Sequence, residues 1–211
     1  MSRCIYQIVY EYPNLVWCRY ADDGLVHCKT LQQAQEVCAA IASRFQGCGL
    51  KLHPQKTRII YCKDKNRKAE YEHTSFDFLG YTFKQRRAKN KRNGRMFMSF
   101  SPAVSKSSIN SMKAKTRKYH LGRRTELEIN DIAELFNPIL RGWMNYYAQY
   151  YGSEFDSVLK HFNMRLIAWA SRKYSKLRGK KTASRKFIEK IAARDPNLFV
   201  HWKNGTVVGL A

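Results

Sequence analysis

No apolar run in this 211-residue chain approaches the roughly 20 residues that a membrane span requires, so a transmembrane protein is not expected. The opening residues, Met1-Ser2-Arg3-Cys4-Ile5-Tyr6-Gln7, lack the long apolar segment of a secretion signal. Cysteine is confined to the first third, at Cys4, Cys18, Cys28, Cys38, Cys48 and Cys62. No two of these stand at CxxC spacing, which argues against a zinc finger. Reduced thiols, packed as small apolar side chains, are the expected state in a chain without an export signal. There is no internal repeat and no low-complexity linker. Acidic side chains are scarce: 16 against 39 lysines and arginines, for a formal charge of +23. Hydrophobic residues nevertheless reach 44% and aromatics 13%, enough to bury a core, so wholesale disorder is excluded.

The charge is unevenly placed. Residues 1–50 carry four basic and four acidic side chains, whereas residues 51–100 carry fourteen basic against four acidic, a net +10. Residues 101–150 add +4 and residues 151–211 add +9. A neutral opening followed by a strongly basic remainder points to a polyanion partner for residues from about 51 onward. Nucleic acid is the first candidate, because each phosphate neutralised releases counterions. An anionic membrane surface fits less well, since the basic segments are interleaved with aromatics rather than opposed to a clean apolar face.

Turn and periodicity signals give a coarse plan. Residues 14–20 and 25–29 are short and apolar-rich, separated by Ala21-Asp22-Asp23-Gly24, which predicts a β-hairpin with two carboxylates at its tip. Thr30 caps a helix whose Leu31, Ala34, Val37, Cys38, Ile41, Ala42 and Phe45 recur at helical spacing, and Gly47 and Gly49 stop it. Strands are expected at 57–62, 76–83 and 96–100, with a charged loop at 63–72. Residues 84–95 hold seven basic side chains, no acid and an Asn93-Gly94 turn signal, which reads as a basic hairpin or loop. Ser101-Pro102 predicts a helix start, running to about Tyr119. A second helix begins near Asn130, with Pro138 expected to kink or split it. Gly152 ends that helix, a third closes at Gly179, and a short helix covers about 184–194. Trp143, Tyr146, Tyr147 and Trp169 fall at helical spacing, as buried helix–helix contacts do.

Asp22-Asp23 is the central observation. Adjacent carboxylates repel unless something positive lies between them, and hard oxygens suit magnesium. A solvated Asp-Asp-Gly turn is the plainer alternative. The wider context bears on the choice. Tyr20-Ala21-Asp22-Asp23, the 49–57 stretch Gly-Leu-Lys-Leu-His-Pro-Gln-Lys-Thr, and Phe76-Asp77-Phe78-Leu79-Gly80-Tyr81 resemble three successive motifs of reverse transcriptases, in order. Residues 139–147, Ile-Leu-Arg-Gly-Trp-Met-Asn-Tyr-Tyr, and the basic helix after them resemble the thumb, or maturase domain, of group II intron-encoded proteins.

The resemblance implies an α+β fold. Residues 1–100 would be the C-terminal part of a palm, a small antiparallel sheet plus helix. An all-helical thumb/maturase domain would cover 101–180, and a basic extension 181–211. It implies Mg2+ ligation by Asp22 and Asp23, with Lys56 approaching the nucleotide phosphates as a third catalytic residue. Lys56 is otherwise a surface lysine after a proline turn. Tyr20, Ala21 and Gly49 would line the primer end and nucleotide, and Phe78, Leu79, Gly80 and Tyr81 would grip the primer. The chemistry implied is attack of a primer 3′-hydroxyl on the α-phosphate of a deoxynucleotide, held by two metals.

For RNA binding, the basic candidates fall in four stretches. They are Lys84, Arg86, Arg87, Lys89, Lys91, Arg92 and Arg95; Lys113, Lys115, Arg117 and Lys118; Arg123 and Arg124; and Arg172, Lys173, Lys176, Arg178, Lys180 and Lys181. The implied partners are group II intron RNA and primer-template nucleic acid, in a cytoplasmic ribonucleoprotein. One departure matters. The family's site needs a further aspartate from an earlier strand, and Glu11 is the sole acid before Tyr20. The expectation is therefore a C-terminal portion, inactive as a polymerase by itself, with a missing fingers/palm segment as an implied partner. Its sheet edge is expected to lie uncovered. A Cys/His cluster for a DNA endonuclease is also absent from the sequence. The alternatives are a non-enzymatic RNA-binding splicing cofactor or a decayed fragment.

Overall fold

The computed structural model describes residues 2–67, 69–90 and 92–204. In chain order its elements are α1 (Ser2–Glu11), β1 (Val16–Tyr20), β2 (Asp23–His27), α2 (Leu31–Gly47), β3 (Ser75–Phe78), β4 (Tyr81–Lys89), β5 (Met96–Val104), α3 (Lys106–Lys118), α4 (Ile129–Tyr147), α5 (Gly152–Lys173) and α6 (Lys181–Arg194). Short 3-10 turns lie at Leu121–Arg123, Ser175–Leu177 and Trp202–Asn204. Strands pair as β1-β2 and as β3-β4-β5, and only helices follow β5, which is the α+β order expected. The chain divides into two compact units: Met1–Phe78 with Gln85–Ser99, and Leu79–Lys84 with Phe100–Ala211.

The first unit has a thin core. Among its described residues only Ile8, Val37 and Arg86 are buried. Helix α1 carries no acid in its first turn and no base in its last, so it offers none of the charge signals that mark helix ends, and the sequence reading assigns it no element. Helix α2 starts as expected: the Thr30 hydroxyl accepts from Gln33 N at 3.1 Å. It stops in a Schellman arrangement, with Gly49 N bonded to Gln46 O at 3.0 Å and Leu50 N to Phe45 O at 2.8 Å. Gly49 takes a φ of +69° there.

The expectations for 57–62, 76–83 and Cys48 need correction. Residues 57–62 are not a strand. Their backbone bond to a distant segment runs from Tyr61 N to His73 O at 2.8 Å, one contact where a ladder requires a run of them. Residues 76–83 are not one strand but the arms of a hairpin, because Leu79 (φ 49°) and Gly80 (φ 78°) both turn left-handed, the pattern of a type I′ turn. Cys48 is disulfide-bonded rather than reduced. Such pairing depends on spatial approach, which spacing does not report. Cys18, Cys28, Cys38 and Cys62 are free, and burial pushes the Cys28 and Cys62 thiols up.

In the second unit β5 runs through Pro102, and the helix expected from residue 101 starts at Lys106. The cap is Ser105, whose hydroxyl accepts from Ser108 N at 3.1 Å. Pro138 does not split α4, which is continuous over Ile129–Tyr147. Both Pro138 and Glu134, whose carbonyl loses its amide partner, are exposed, so water can serve that carbonyl. Gly152 opens α5 rather than ending α4, and the left-handed Tyr151 (φ 40°) stands at its N-cap. Trp169, Phe136, Phe155, Phe162 and Phe199 fill the core and are fully buried. Residues beyond 180 belong to this core too: Ile188, Ile191, Phe199 and Trp202 pack into it.

Two side-chain amides hold the end of the chain against the helices. Asn137 donates to Leu198 O at 2.9 Å and accepts from Val200 N at 3.0 Å. The Asn163 carbonyl oxygen accepts from Trp202 Nε1 at 3.2 Å and lies 2.8 Å from His201 Nε2. An amide oxygen can only accept, so His201 carries its proton on Nε2. Burial lowers the His201 pKa to about 3.

Candidate nucleic-acid interface

The β1–β2 hairpin pairs Val16 with His27, Trp17 with Val26, Cys18 with Leu25, Arg19 with Gly24 and Tyr20 with Asp23. The turn is therefore Ala21-Asp22, two residues shorter than the Ala21–Gly24 stretch in the sequence reading. Ala21 takes a left-handed φ of 49°, and Arg19 Nε donates to the Ala21 carbonyl at 3.0 Å. This places Asp22 in the bend and Asp23 at the first position of β2, both exposed beside a Tyr20 that is 62% exposed. Their oxygens are of the kind a divalent cation takes, but such ions want six or more oxygen ligands. Among the described residues no group of three or more His, Cys, Asp or Glu side chains is placed to hold a metal. The two aspartates therefore do not make a complete metal site, and no reaction step follows from them alone.

Lys56 is exposed, just after a turn in which its N–H donates to His53 O at 3.1 Å. No ion pair joins it to Asp22 or Asp23 among the described residues. Gly49 serves as the α2 cap. Nothing lies within 4 Å of where its Cβ would stand, so its conformation rather than close approach requires glycine.

The 78–81 turn is the most constrained of the sequence-predicted site segments. Phe78 ends β3. Leu79, Gly80 and Tyr81 are seated on the helical unit. The Gly80 carbonyl accepts from Ser105 N at 2.9 Å and from Ser108 Oγ at 3.0 Å. The Leu79 carbonyl accepts from Tyr146 Oη at 2.9 Å. Tyr81 is buried, donates its hydroxyl to the Tyr146 carbonyl, and has the rings of Tyr146, Tyr147 and Tyr150 at 5.5–5.6 Å. Burial foremost, and then these neighbouring phenols, raise the Tyr81 pKa. Gly80 is required for space as well as for φ: a Cβ there would stand 2.9 Å from both Ser108 Oγ and Tyr147 Oη. This anchorage depends on contacts across 25 to 67 residues of chain, for which the sequence carries no local signal.

The basic side chains divide by environment. In the β4–β5 hairpin Lys84, Arg87, Lys89, Arg92 and Arg95 are exposed, Arg86 is buried, and Lys91 lies outside the described residues. Lys115, Arg117 and Lys118 on α3 are exposed, while Lys113 is half-buried. Arg123 is exposed, and Arg124 pairs with Glu126 at 3.0 Å. Arg172, Lys176, Arg178, Lys180 and Lys181 are exposed. Lys173 is committed to the fold: its ammonium bonds the Thr125 and Leu127 carbonyls at 3.0 Å, pairs with Glu128 at 2.7 Å and lies over the Trp169 ring. Of the four aromatics expected as helix contacts, Trp169 is buried, Trp143 and Tyr147 are partly buried against the core, and Tyr146 is 47% exposed.

The sequence reading passed over His161 and Arg165 on α5. Their spacing from Arg172, eleven and seven residues, puts all three on one helical face, which was the available signal. His161 is lowered to about 4, by burial first and then by Arg165, Arg117 and Lys113.

Residues 109–187 match the family described as group II intron, maturase-specific domain. Residues 1–83 match the family described as reverse transcriptase (RNA-dependent DNA polymerase). No curated protein and no solved structure shows a significant match to the chain.

Proposed function

The chain belongs to the group II intron reverse transcriptase/maturase family, and from that premise we propose that its helical unit binds group II intron RNA and promotes the folding that splicing requires. Reverse transcriptases work with divalent metal ions, and maturases with intron RNA. No helix among the described residues is long and apolar enough to cross a membrane. The observation that carries the proposal is the setting of the maturase match. Residues 109–187 fall in the unit with the full aromatic core, whose exposed side chains include Lys115, Arg117, Lys118, Arg123, Arg172, Lys176 and Arg178. Phosphate contacts from such a surface position an RNA without reading its sequence. The buried Arg86 and the engaged Lys173 are left out of this footprint. The setting is a cytoplasmic ribonucleoprotein.

We assign Asp22 and Asp23 to magnesium, Lys56 to nucleotide phosphates, and Tyr20, Ala21, Gly49 and residues 78–81 to primer and deoxynucleotide contact, only in an assembled site to which further residues add ligands. The palm and the 101–180 thumb are the domains so proposed. Primer extension on a primer-template with magnesium and deoxynucleotides is expected to give no product from this chain alone. Template-dependent product that vanishes on Asp22→Ala would overturn that assignment. The test of the main proposal is splicing of a group II intron at limiting magnesium. Added protein is expected to raise the spliced fraction, and no change at saturating protein on the cognate intron refutes it.

A further inference from the structure

A cavity of about 120 Å³ opens in the helical unit, several times the roughly 10–15 Å³ that one water needs. Four arginines line it: Arg117 from the last turn of α3, Arg123 from the 3-10 turn, and Arg165 and Arg172 from α5. No aspartate or glutamate lines it. Arginine stays charged at any relevant pH, so the cluster is self-repelling as it stands. Among the described residues none of the four has an ion-pair partner, and Arg165 Nε is buried with no hydrogen-bond acceptor.

The helix that carries two of these groups is built to leave room between them. Residues 165, 168 and 172 share one face of α5, and the middle one is alanine. Gly122 clears the other side: a Cβ there would stand 2.8 Å from Arg172 Nη1. Planar forks with parallel N–H donors fit phosphate oxygens in bidentate fashion.

We propose that this pocket is a discrete seat for one backbone phosphate of the bound RNA. The choice of RNA rests on the intron-binding reading above; the oxyanion site itself does not. The seat differs from the surrounding basic surface in kind. Surface lysines and arginines meet phosphates interchangeably, whereas four arginines lining one cavity, one of them with its Nε buried, favour a single position. It would therefore set the register of the RNA on the helical unit.

Two measurements on the full chain separate the pocket from the RNA reading. The first is thermal unfolding in inorganic phosphate against chloride at matched ionic strength. Phosphate is expected to raise the melting temperature of the unaltered protein, and the rise should vanish in Arg165→Gln/Arg172→Gln. It should persist in Arg185→Gln/Lys186→Gln, an equal charge change at exposed positions outside the cavity. No phosphate-specific rise, or an equal rise in the pocket variant, overturns the site. Gly122→Ala keeps every charge but displaces the Arg172 guanidinium, so it should shrink the rise even if the double variant fails to fold.

The second is intron RNA binding. The pocket variant is expected to bind about tenfold more weakly than the surface control, with the salt slope reduced by about 1. A loss equal to the control's, with the phosphate rise intact in the unaltered protein, leaves an ion site and overturns its assignment to RNA. If the unaltered protein binds no RNA, the intron reading and the RNA assignment fail together, and the phosphate measurement alone decides the pocket.

Discussion

Replacing Gly80 by alanine should destabilise the helical unit by about 1–3 kcal/mol. An L-residue in the left-handed region costs about 1–2 kcal/mol, and Gly80 sits at φ +78°. The added Cβ also meets Ser108 Oγ and Tyr147 Oη, each at 2.9 Å. Moving Ser108 aside loses the bond it donates to the Gly80 carbonyl, worth about 1 kcal/mol. Reduced freedom of the unfolded chain returns about 0.4–1 kcal/mol. Urea unfolding, followed by far-ultraviolet circular dichroism and tryptophan fluorescence, measures the difference. Gly142→Ala is the matched control. It lies inside α4 with nothing within 4 Å of its Cβ position, and should stabilise by about 0.5–1 kcal/mol. A loss below about 0.5 kcal/mol for Gly80→Ala would refute the claim that this turn is locked onto the helices.

Acid should weaken the fold through His201. Its folded pKa, about 3, lies below the ordinary histidine value, so the unfolded chain takes up the proton first and stability falls as pH drops below about 6.5. The loss from His201 between pH 6.5 and 5 is about 2 kcal/mol. His161, at about 4, acts in the same direction, and urea midpoints at the two pH values, compared with those of His201→Gln, would expose an error. Lys173→Met should lower stability by about 1–3 kcal/mol, because it strands the Thr125 and Leu127 carbonyls and Glu128, while RNA affinity changes little. The reverse pattern would mean that Lys173 serves RNA rather than the fold. Ser105→Ala should cost about 1 kcal/mol through the lost α3 cap, and an unchanged urea midpoint would show that the cap contributes nothing.

Local chemistry was the legible part of the sequence. Thr30 capped α2, the short apolar-rich stretches around Asp22-Asp23 paired as a hairpin, and the 84–95 stretch formed the end of β4 and its turn into β5, with Gly94 at φ 70°. The errors arose where distant contacts outweighed a local signal. Ser101-Pro102 carries a helix start, yet β5 continues through it and Ser105 takes the cap. The run 76–83 reads as one strand, yet Leu79-Gly80 turns and docks on Ser105, Ser108 and Tyr146. Residues 57–62 have strand composition but lack a ladder partner among the described residues. In the candidate sites, exposed basic residues could be named from the charge runs. Arg165 lies in no charge run; only its helical spacing from Arg172 marked it, and packing joins it to Arg117 and Arg123.

The most direct test of the account is the affinity of the chain for a structured group II intron RNA across salt. If the helical unit meets six or more phosphates, the binding constant should fall by about a thousandfold or more between roughly 50 and 200 mM salt, linearly on logarithmic axes. An affinity that stays flat across that range would contradict the claim that this basic unit holds RNA by its phosphates.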